Sequence, residues 1–159
     1  METIVTGKVN AGKTSFLLHY YQKHGEGDGF ISRKILVDEK TFGFTSIRLS
    51  SKEEKPWMIH DDFYQNEFIH AGRVGPYCVN LDRLKEIENA IGTMIAQGIH
   101  PIYLDEIGRL ELSGKGYDPI LRKLLASHLD IIIAVREDLT PLIIEHYRLV
   151  DYSIIPVNQ

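Results

Sequence analysis

Near its amino end the chain carries the pattern G-x-x-x-x-G-K-T, which runs from Gly7 to Thr14. Small residues in such a loop let successive backbone N–H groups converge on phosphate oxygens. A helix that follows the loop offers its positive end to the same anion. Residues Glu2 to Thr6 form a short β-prone stretch, and apolar and aromatic residues recur at helical spacing after the loop. This order of strand, loop and helix is the context that the pattern requires, so we predict a site for the phosphates of a nucleotide.

Individual residues of this loop have separate expected roles. Lys13 would neutralise charge on the β- and γ-phosphates, and Thr14 would place its hydroxyl on Mg²⁺. Asn10 stands where many such loops have glycine, but asparagine tolerates a positive φ better than most residues do. The predicted nucleotide-binding residues are Gly7, Lys8, Val9, Asn10, Ala11, Gly12, Lys13, Thr14 and Ser15. A loop that merely joins a strand to a helix is the disfavoured alternative.

A second pattern lies in the other half of the chain, where the apolar run Ile102 to Leu104 is followed by Asp105 and Glu106. A buried strand that delivers a carboxylate to its C-terminal edge is the usual companion of a phosphate loop. We expect Asp105 to hold Mg²⁺ through a water molecule. Glu106 would face the γ-phosphate, where a carboxylate can orient or deprotonate the attacking water. Lys13 and Glu106 are therefore predicted catalytic residues.

An Asp-Glu pair at a strand end also indicates the class of phosphate-loop proteins in which one further strand lies between the loop strand and the acidic strand. The apolar run from Ile131 to Val135 is predicted to be that strand. Arg136 would then leave the sheet beside the phosphates, where a guanidinium can stabilise charge on the γ-phosphoryl group. We add it as a third catalytic candidate, with an ordinary surface arginine as the equal alternative.

Three further cations are weaker candidates. Arg109 and Lys115 lie in the stretch from Gly108 to Gly116, which contains three glycines and follows the acidic pair. Such a stretch can act as a lid whose cations approach the nucleotide when it closes. Arg73 is a weaker candidate of the same kind.

The middle of the chain predicts antiparallel structure. Phe30 to Val37 and Phe42 to Leu49 are extended runs separated by polar residues that include Asp38-Glu39-Lys40, which is typical of a hairpin. The segment from Ser50 to Gly75 is polar with scattered aromatic residues, and we expect one more short strand around Trp57-Met58-Ile59. In the same segment His60, Asp61, Asp62 and His70 lack the regular spacing of metal ligands, so a solvated loop is the favoured interpretation.

The second half of the chain predicts helices that alternate with apolar strands. A helix of about four turns with Asn80 or Asp82 as its cap should end at Gly98. Asp118-Pro119 and Thr140-Pro141 each predict a cap and a first-turn proline, and Tyr152 to Val157 resembles a final strand. We therefore predict an α/β fold with three layers, whose sheet is mainly parallel, is covered on both faces, and has an antiparallel hairpin in the middle of the chain.

Length and charge set limits on the function. A chain of 159 residues with 43% hydrophobic residues typically folds as one domain, which we place at 1–159. Its 18 Lys and Arg against 22 Asp and Glu give a net charge of -4, so binding to nucleic acid is disfavoured. A single cysteine cannot form an internal disulfide, and neither a signal-like start nor an apolar run of membrane length is present. These features favour a cytoplasmic protein without a membrane contact.

Four blocks of the sequence resemble a known family, the small phosphate-loop nucleoside-triphosphatases that include the cancer-related nucleoside-triphosphatase of animals and its microbial relatives. The most specific block is Asp105-Glu106-Ile107-Gly108-Arg109-Leu110-Glu111-Leu112, in which Arg109 stands where a lysine is usual. The others are the phosphate loop, Gly29-Phe30 with Phe42-Gly43-Phe44, and Val74-Gly75-x-Tyr77-x-Val79. Together they span nearly the whole chain.

The resemblance implies hydrolysis of a nucleoside triphosphate to the diphosphate and phosphate, with Mg²⁺ as cofactor and a loose preference for the base. By matched position Lys13, Thr14, Asp105 and Glu106 take the phosphate, metal and water roles. Glu111 matches as well, with a structural role in pairing Arg109 or anchoring the lid. Relatives are expected to continue after the position of Gln159 into a helix that would help to enclose the base.

Two other functions use the same motifs. A small-molecule or nucleotide kinase needs the same loop and metal site, with Glu106 activating an acceptor hydroxyl instead of water. A nucleotide-gated binding module would use the lid as a switch for a protein partner, whose identity the sequence leaves open. In all three cases the expected ligand is a nucleoside triphosphate, ATP or GTP.

Overall fold

The computed structural model of the protein describes residues 1–158, which form one mixed sheet with helices on both of its faces. The strands are β1 (Glu2–Gly7), β2 (Asp28–Val37), β3 (Lys40–Arg48), β4 (Glu54–His60), β5 (Ala71–Val74), β6 (Tyr77–Asn80), β7 (Ile102–Ile107), β8 (Ile131–Arg136) and β9 (Tyr152–Pro156). The helices are α1 (Lys13–His24), α2 (Leu81–Ala96), α3 (Arg109–Leu112), α4 (Asp118–Ser127) and α5 (Thr140–His146).

The strands lie in the order β5-β6-β4-β3-β2-β7-β8-β1-β9. Strand β8 lies between β1 and β7, as predicted for the run from Ile131 to Val135. Pairings among β2, β7, β8, β1 and β9 are parallel, whereas those among β2, β3, β4, β6 and β5 are antiparallel. We call β1, β7, β8 and β9 the parallel half and β2 to β6 the antiparallel half. The predicted fold class is confirmed. The antiparallel half adds β4, β5 and β6 to the expected hairpin, and β4 is the strand expected around Trp57-Met58-Ile59.

The inner strands β7 and β8 of the parallel half are buried on both faces over most of their length, whereas the edge strand β9 is mostly exposed. In β8, Ile131 and Ile133 join the core beneath α2, α4 and α5, whereas Ile132 and Ala134 join the core beneath α1. A strand covered on both faces has no polar side, which explains its continuous apolar run in the sequence. The sheet is therefore the middle of three layers.

Helix α2 begins and ends as the sequence predicts. The side chain of Asn80 accepts a hydrogen bond from the backbone N–H of Arg83 at 3.2 Å and so caps the first turn. Gly98 follows the last turn with a φ of 67°, a left-handed conformation that favours glycine. This is the longest described helix at 16 residues, and among residues 1–158 no helix is long and apolar enough to cross a membrane.

The predicted caps at the two proline-containing helices are wrong. Asp118 and Thr140 are the first residues of α4 and α5 rather than the caps, although the prolines do lie in the first turns. Both side chains are buried and bonded elsewhere, so they are not available to cap. The Asp118 carboxylate accepts from the Tyr147 hydroxyl at 2.6 Å, and the Thr140 hydroxyl donates to the Arg136 carbonyl at 3.1 Å.

A buried arginine holds α2 against the antiparallel half. The Arg83 side chain is 2% exposed and donates to the hydroxyl of Ser46 at 2.5 Å. It also lies 3.0 Å from carboxylate oxygens of Glu53 and Glu86, and its guanidinium packs over the ring of Phe30. Because Ser46 is itself fully buried, the arginine is its polar partner in the core.

Candidate functional site

The phosphate loop joins the end of β1 to the start of α1 through a tight backbone path. Asn10 has a φ of 62° and Gly12 a φ of 95°. Both values lie in the left-handed region, where asparagine and glycine are the residues with the smallest strain. The expectation that Asn10 can replace a loop glycine is confirmed for its backbone conformation.

Gly7 is required by a close approach of two backbones. A Cβ atom at this position would lie 2.5 Å from the carbonyl oxygen of Val157, closer than real Cβ contacts allow. The Val157 N–H donates to the Thr6 carbonyl at 2.7 Å, which continues the parallel pairing of β9 with β1. The segment after β9 therefore supports the start of the loop.

Lys13 folds back over the loop that precedes it. Its ammonium group donates to the carbonyl oxygens of Gly7 at 3.1 Å and Lys8 at 2.7 Å. These bonds place the positive charge above the loop, at the positive end of α1. Of the nine predicted nucleotide-binding residues, the seven from Val9 to Ser15 line a cavity, while Gly7 and Lys8 contribute carbonyls that hold Lys13.

A hydrogen bond joins the phosphate loop to the acidic strand. The Thr14 hydroxyl donates to Oδ2 of Asp105 at 2.6 Å, although the two residues are 91 positions apart. The same oxygen accepts from the Ser32 N–H at 3.0 Å, and Oδ1 accepts from the Glu106 N–H at 3.0 Å. Burial raises the pKa of the Asp105 carboxyl, and these hydrogen bonds oppose that shift. The two predicted metal ligands are thus adjacent.

Glu106 lies in a β-bulge at the end of β7. The pairing of β7 with β8 changes register between Leu104 and Ile107, and Glu106 has a φ of 57°. A non-glycine residue in the left-handed region is strained by about 1 kcal/mol or more, and such strain is concentrated at functional sites. The bulge turns the Glu106 side chain into the cavity instead of leaving it in the regular alternation of the strand.

Opposing charges surround the Glu106 carboxyl. Its side chain is exposed to solvent in the cavity, although the surrounding protein partly desolvates the carboxyl. Burial and the neighbouring Asp105 raise the pKa of Glu106, whereas the positive charges of Lys13, Lys34 and Arg136 lower it. The carboxyl therefore lies among the cations that a terminal phosphate would also contact.

The structure separates the other predicted cations into two groups. Arg136 lines the cavity at the end of β8, where its guanidinium is held by both carboxylate oxygens of Asp138 at 2.5 and 2.8 Å. Arg109 also lines the cavity. Lys115 is not among the lining residues, and Arg73 donates to Asp61 at 2.6 Å in an exposed ion pair outside the cavity wall. The role suggested for Arg73 stays a prediction that this position does not support.

The predicted lid, from Gly108 to Gly116, contains the short helix α3. A buried glutamate fixes the two ends of the lid. Glu111 is 3% exposed, and its two carboxylate oxygens accept from the Gly108 N–H at 2.7 Å and the Tyr117 N–H at 3.0 Å. Burial raises the pKa of Glu111 to about 7, against the effect of these bonds. Of the two structural roles suggested by the sequence, the geometry supports anchoring of the stretch rather than a pair with Arg109.

The cavity has a volume of about 670 Å³ and extends well beyond the phosphate loop. The part beyond Glu106 has uncharged, mostly aromatic walls, and we call it the aromatic pocket. Its residues are Phe44, Trp57, Met58, Val74, Tyr77 and Tyr117. They come from β3, β4, β5, β6 and the start of α4, and nothing in their sequence positions indicates that they meet.

Ser32 and Lys34 are site residues that the sequence did not reveal. Strand β2 pairs with β7, which brings the Ser32 N–H to Asp105. Two residues further along the same strand, the Lys34 ammonium donates to Oδ1 of Asn10 at 3.1 Å and lines the cavity. Ser32 and Lys34 are two residues apart, so their side chains lie on the same face of β2. This alternation could have linked the two residues, but only if the strand order had been known.

The oxygen ligands at the end of β7 fit a magnesium ion. Mg²⁺ prefers one or two carboxylate or hydroxyl oxygens together with phosphate oxygens and water, and the Thr14 hydroxyl and the Asp105 carboxylate form such a set. Within residues 1–158 no group of three or more His, Cys, Asp or Glu side chains could hold a metal by itself. His60, the last residue of β4, and His70 instead lie near Asp62 and Asp82, respectively.

The fold and the site define a phosphate-loop NTPase of the class with an extra strand, here β8, between the loop strand and the acidic strand. The model of a protein family described as NTPase matches residues 2–159. The chain belongs to this NTPase family, which confirms the resemblance seen in its sequence blocks.

Individual relatives agree with this assignment. The nucleoside-triphosphatase THEP1 of Thermotoga maritima is 26% identical over 159 residues, and the match covers 100% of this chain and 87% of the relative. A protein of the same name from Sulfolobus acidocaldarius is 28% identical over 142 residues, with coverage of 85% and 76%. The crystal structure of THEP1 from Aquifex aeolicus matches with a TM-score of 0.70 at 22% identity, over 99% of this chain and 90% of that one, which supports the fold.

Proposed function

We propose that this NTPase hydrolyses nucleoside 5′-triphosphates to the diphosphate and phosphate with Mg²⁺ as cofactor, and that Glu106 positions or activates the attacking water. The observation that carries the proposal is the bond between Thr14 and Asp105, which brings the acidic strand to the phosphate loop and places Glu106 in the same cavity. The names of the relatives, which are nucleoside-triphosphatases, support the same reaction.

Phosphate binding would use the backbone of the loop more than its side chains. The N–H groups between Asn10 and Thr14 lie at the start of α1, where the helix dipole favours an anion. Lys13 would exchange its bonds to the loop carbonyls for the β- and γ-phosphate oxygens. These contacts involve phosphates and not the base, so ATP and GTP are both expected substrates.

The Thr14 hydroxyl and, through a water molecule, Asp105 would hold the magnesium ion. When bound, Mg²⁺ supplies positive charge to the β- and γ-phosphate oxygens. Three backbone and side-chain hydrogen bonds fix the Asp105 carboxylate before any ligand binds. Because the carboxylate is already held in place, it needs little rearrangement when the magnesium ion binds.

In the chemical step, the water oxygen would form a bond to the γ-phosphorus as the bond to the β–γ bridging oxygen breaks. The electron pair of that bond leaves with the nucleoside diphosphate. The Glu106 carboxylate would accept the water proton or a hydrogen bond from it. Arg136 and Arg109 line the same cavity, and their guanidinium groups would contact the γ-phosphate oxygens.

A Glu106→Gln variant tests this assignment. It should bind a nucleoside triphosphate as the unmodified protein does, but its turnover should fall by about 10²- to 10⁴-fold because the amide cannot accept the proton. Phosphate release and nucleotide affinity are measured on both proteins, with Glu145→Gln on the exposed side of α5 as the matched control. Unchanged turnover in Glu106→Gln would remove Glu106 from the mechanism.

Three other expectations stay predictions from the sequence: a single domain at 1–159, a cytoplasmic location, and the lack of nucleic-acid binding. The last follows from the net charge of -4.

A further inference from the structure

The aromatic pocket provides more space than a hydrolysis reaction needs. A water nucleophile occupies little room and is held by polar groups, such as the Glu106 carboxylate. Yet the cavity continues past Glu106 between apolar and aromatic walls, and its total volume of about 670 Å³ lies within the range of small-molecule sites. A concave apolar surface that adjoins a reactive carboxylate requires an occupant of its own.

Strand order puts Glu106 between the two parts of the cavity. Neighbouring strands lie about 4.8 Å apart. Strand β7, which carries Glu106, is two positions from β1 and the phosphate loop on one side, and two positions from β3 on the other. Phe44 on β3 and Trp57 on β4 are therefore across Glu106 from the loop.

This arrangement excludes the nucleoside from the aromatic pocket when the proposed function holds. If the γ-phosphate faces Glu106, the remaining phosphates lie along the loop and the nucleoside continues in that direction, away from β3 and β4. The base cannot then reach the walls around Trp57. The pocket stays accessible to a second molecule, directly in line with the γ-phosphate.

The walls of the pocket are held in place by contacts of their aromatic rings with one another. Trp57 and Tyr117 stack with ring centroids 5.6 Å apart and planes within 6°, and they are only 3% and 4% exposed. Phe44 and Tyr77 meet edge to face at 5.6 Å and form another wall. Burial, and then the negative charge of Glu106, raise the pKa of the Tyr77 phenol, so the phenol lies within electrostatic reach of the reacting end. Aromatic walls of this kind favour stacked or edge-on rings.

We propose that the aromatic pocket binds a phosphoryl acceptor, namely an alcohol carried on an uncharged planar ring, and that the enzyme can transfer the γ-phosphoryl group to it. This inference rests on the proposed function, because it uses the same phosphate loop and Glu106. The acceptor oxygen forms the new bond to the γ-phosphorus, and the bond to the β–γ bridging oxygen breaks with its electron pair on the departing diphosphate. The hydroxyl proton passes to the Glu106 carboxylate.

Trp57 gives a direct test of binding because it is the only tryptophan of the chain. The probes are benzyl alcohol, adenosine and thymidine, each titrated to about 10 mM in the presence of Mg²⁺ and a non-hydrolysable triphosphate analogue. At least one probe should change the Trp57 emission in a saturable way. With γ-labelled triphosphate, the same probe should become labelled faster than phosphate is released into water.

Val74→Phe is the variant that narrows the pocket, since Val74 is half-buried and lines it from β5. The ratio of triphosphate consumption with the probe to consumption without it should fall towards 1, because the narrower pocket should weaken probe binding at least about tenfold. Leu142→Phe on the exposed side of α5 is the matched control and should keep the ratio. Nucleotide affinity measured on both variants shows whether each is folded.

The outcomes separate this inference from the proposed function. Phosphate release into water, with no probe that changes Trp57 emission or becomes labelled, overturns the acceptor site and leaves the hydrolase. A change in Trp57 emission on binding the triphosphate analogue alone, with the probes competing against it, places the base in the pocket and also overturns the inference. Failure to consume triphosphate under every condition overturns the proposed function itself.

Discussion

The two halves of the sheet encode their parts of the site differently. In the parallel half, the phosphate loop and the acidic pair are short contiguous motifs, because backbone N–H groups and single carboxylates at strand ends perform the expected chemistry. In the antiparallel half, the aromatic pocket is assembled from single side chains on several strands. Phosphate binding can therefore be predicted from short sequence motifs, whereas the shape of the aromatic pocket depends on tertiary structure.

The two halves also differ in what holds them in place. Around the phosphate loop, polar contacts such as the bond between Thr14 and Asp105 join functional groups to one another. In the antiparallel half, the buried Arg83 joins α2 to Ser46 on β3 and does not line the cavity. Substitutions should therefore affect turnover in the first region and stability in the second.

Among the variants that compare the two halves, the largest effect is expected from Lys13→Ala. The loss of the ammonium group removes a cation that would stabilise the γ-phosphoryl charge, so turnover should fall by about 10²- to 10³-fold, or about 3–4 kcal/mol of transition-state stabilisation. The urea midpoint of unfolding should change little, because Lys13 bonds only to carbonyls of its own loop. Lys23→Ala, an exposed position on the same helix, is the control. A variant that loses stability together with turnover would contradict the separation of the two regions.

Arg83→Ala should show the opposite behaviour. Its removal leaves the buried Ser46 hydroxyl without its partner and opens a cavity in the core, which should cost about 2–4 kcal/mol of unfolding free energy. Arg83→Met, which keeps most of the volume, should lose less. Urea unfolding measures the stability, with Lys85→Ala on the exposed face of α2 as the control. At temperatures where the variant is folded, its turnover should stay close to that of the unmodified protein, and a large loss there would show that the halves are coupled.

The same contrast explains what the sequence could predict. The order β1-loop-α1 and the insertion of β8 followed from contiguous apolar runs and a local motif, and both are confirmed in the fold. The positions of Ser32 and Lys34 could not be found because they depend on β2 pairing with β7 across more than 60 residues. The caps at Asp118 and Thr140 were wrong because tertiary hydrogen bonds, which no local pattern contains, occupy both side chains.

A smaller, pH-dependent effect is expected from Glu111, which lies where the predicted lid meets the core. Its pKa is raised by burial from 4.5 to about 7, so the folded protein holds a proton that the unfolded chain releases. The contribution of this proton to the free energy of unfolding is fully present below about pH 4.5 and is lost as the pH rises through about 7. The unmodified protein should therefore lose about 1–3 kcal/mol of stability between these pH values that Glu111→Gln does not lose.

Urea unfolding of both proteins at the two ends of this pH range measures the difference. Other groups titrate equally in both proteins. The quantity to compare is therefore the difference in unfolding free energy between the two proteins at each pH. Parallel stability profiles would show that Glu111 is already ionised in the folded protein, with its two backbone hydrogen bonds outweighing the cost of burial.

The smallest effect distinguishes two cations of the same stretch. Arg109 lines the cavity, whereas Lys115 lies outside the wall. An exposed charge contributes about 0.2–1 kcal/mol to an ion pair, so Arg109→Ala should lower kcat/KM for the triphosphate by about two- to fivefold. The effect should shrink as salt is added, because salt screens exposed charges. Lys115→Ala should leave kcat/KM unchanged. Equal losses in both variants would mean that the whole stretch closes over the nucleotide, so that the cavity wall changes when the triphosphate binds.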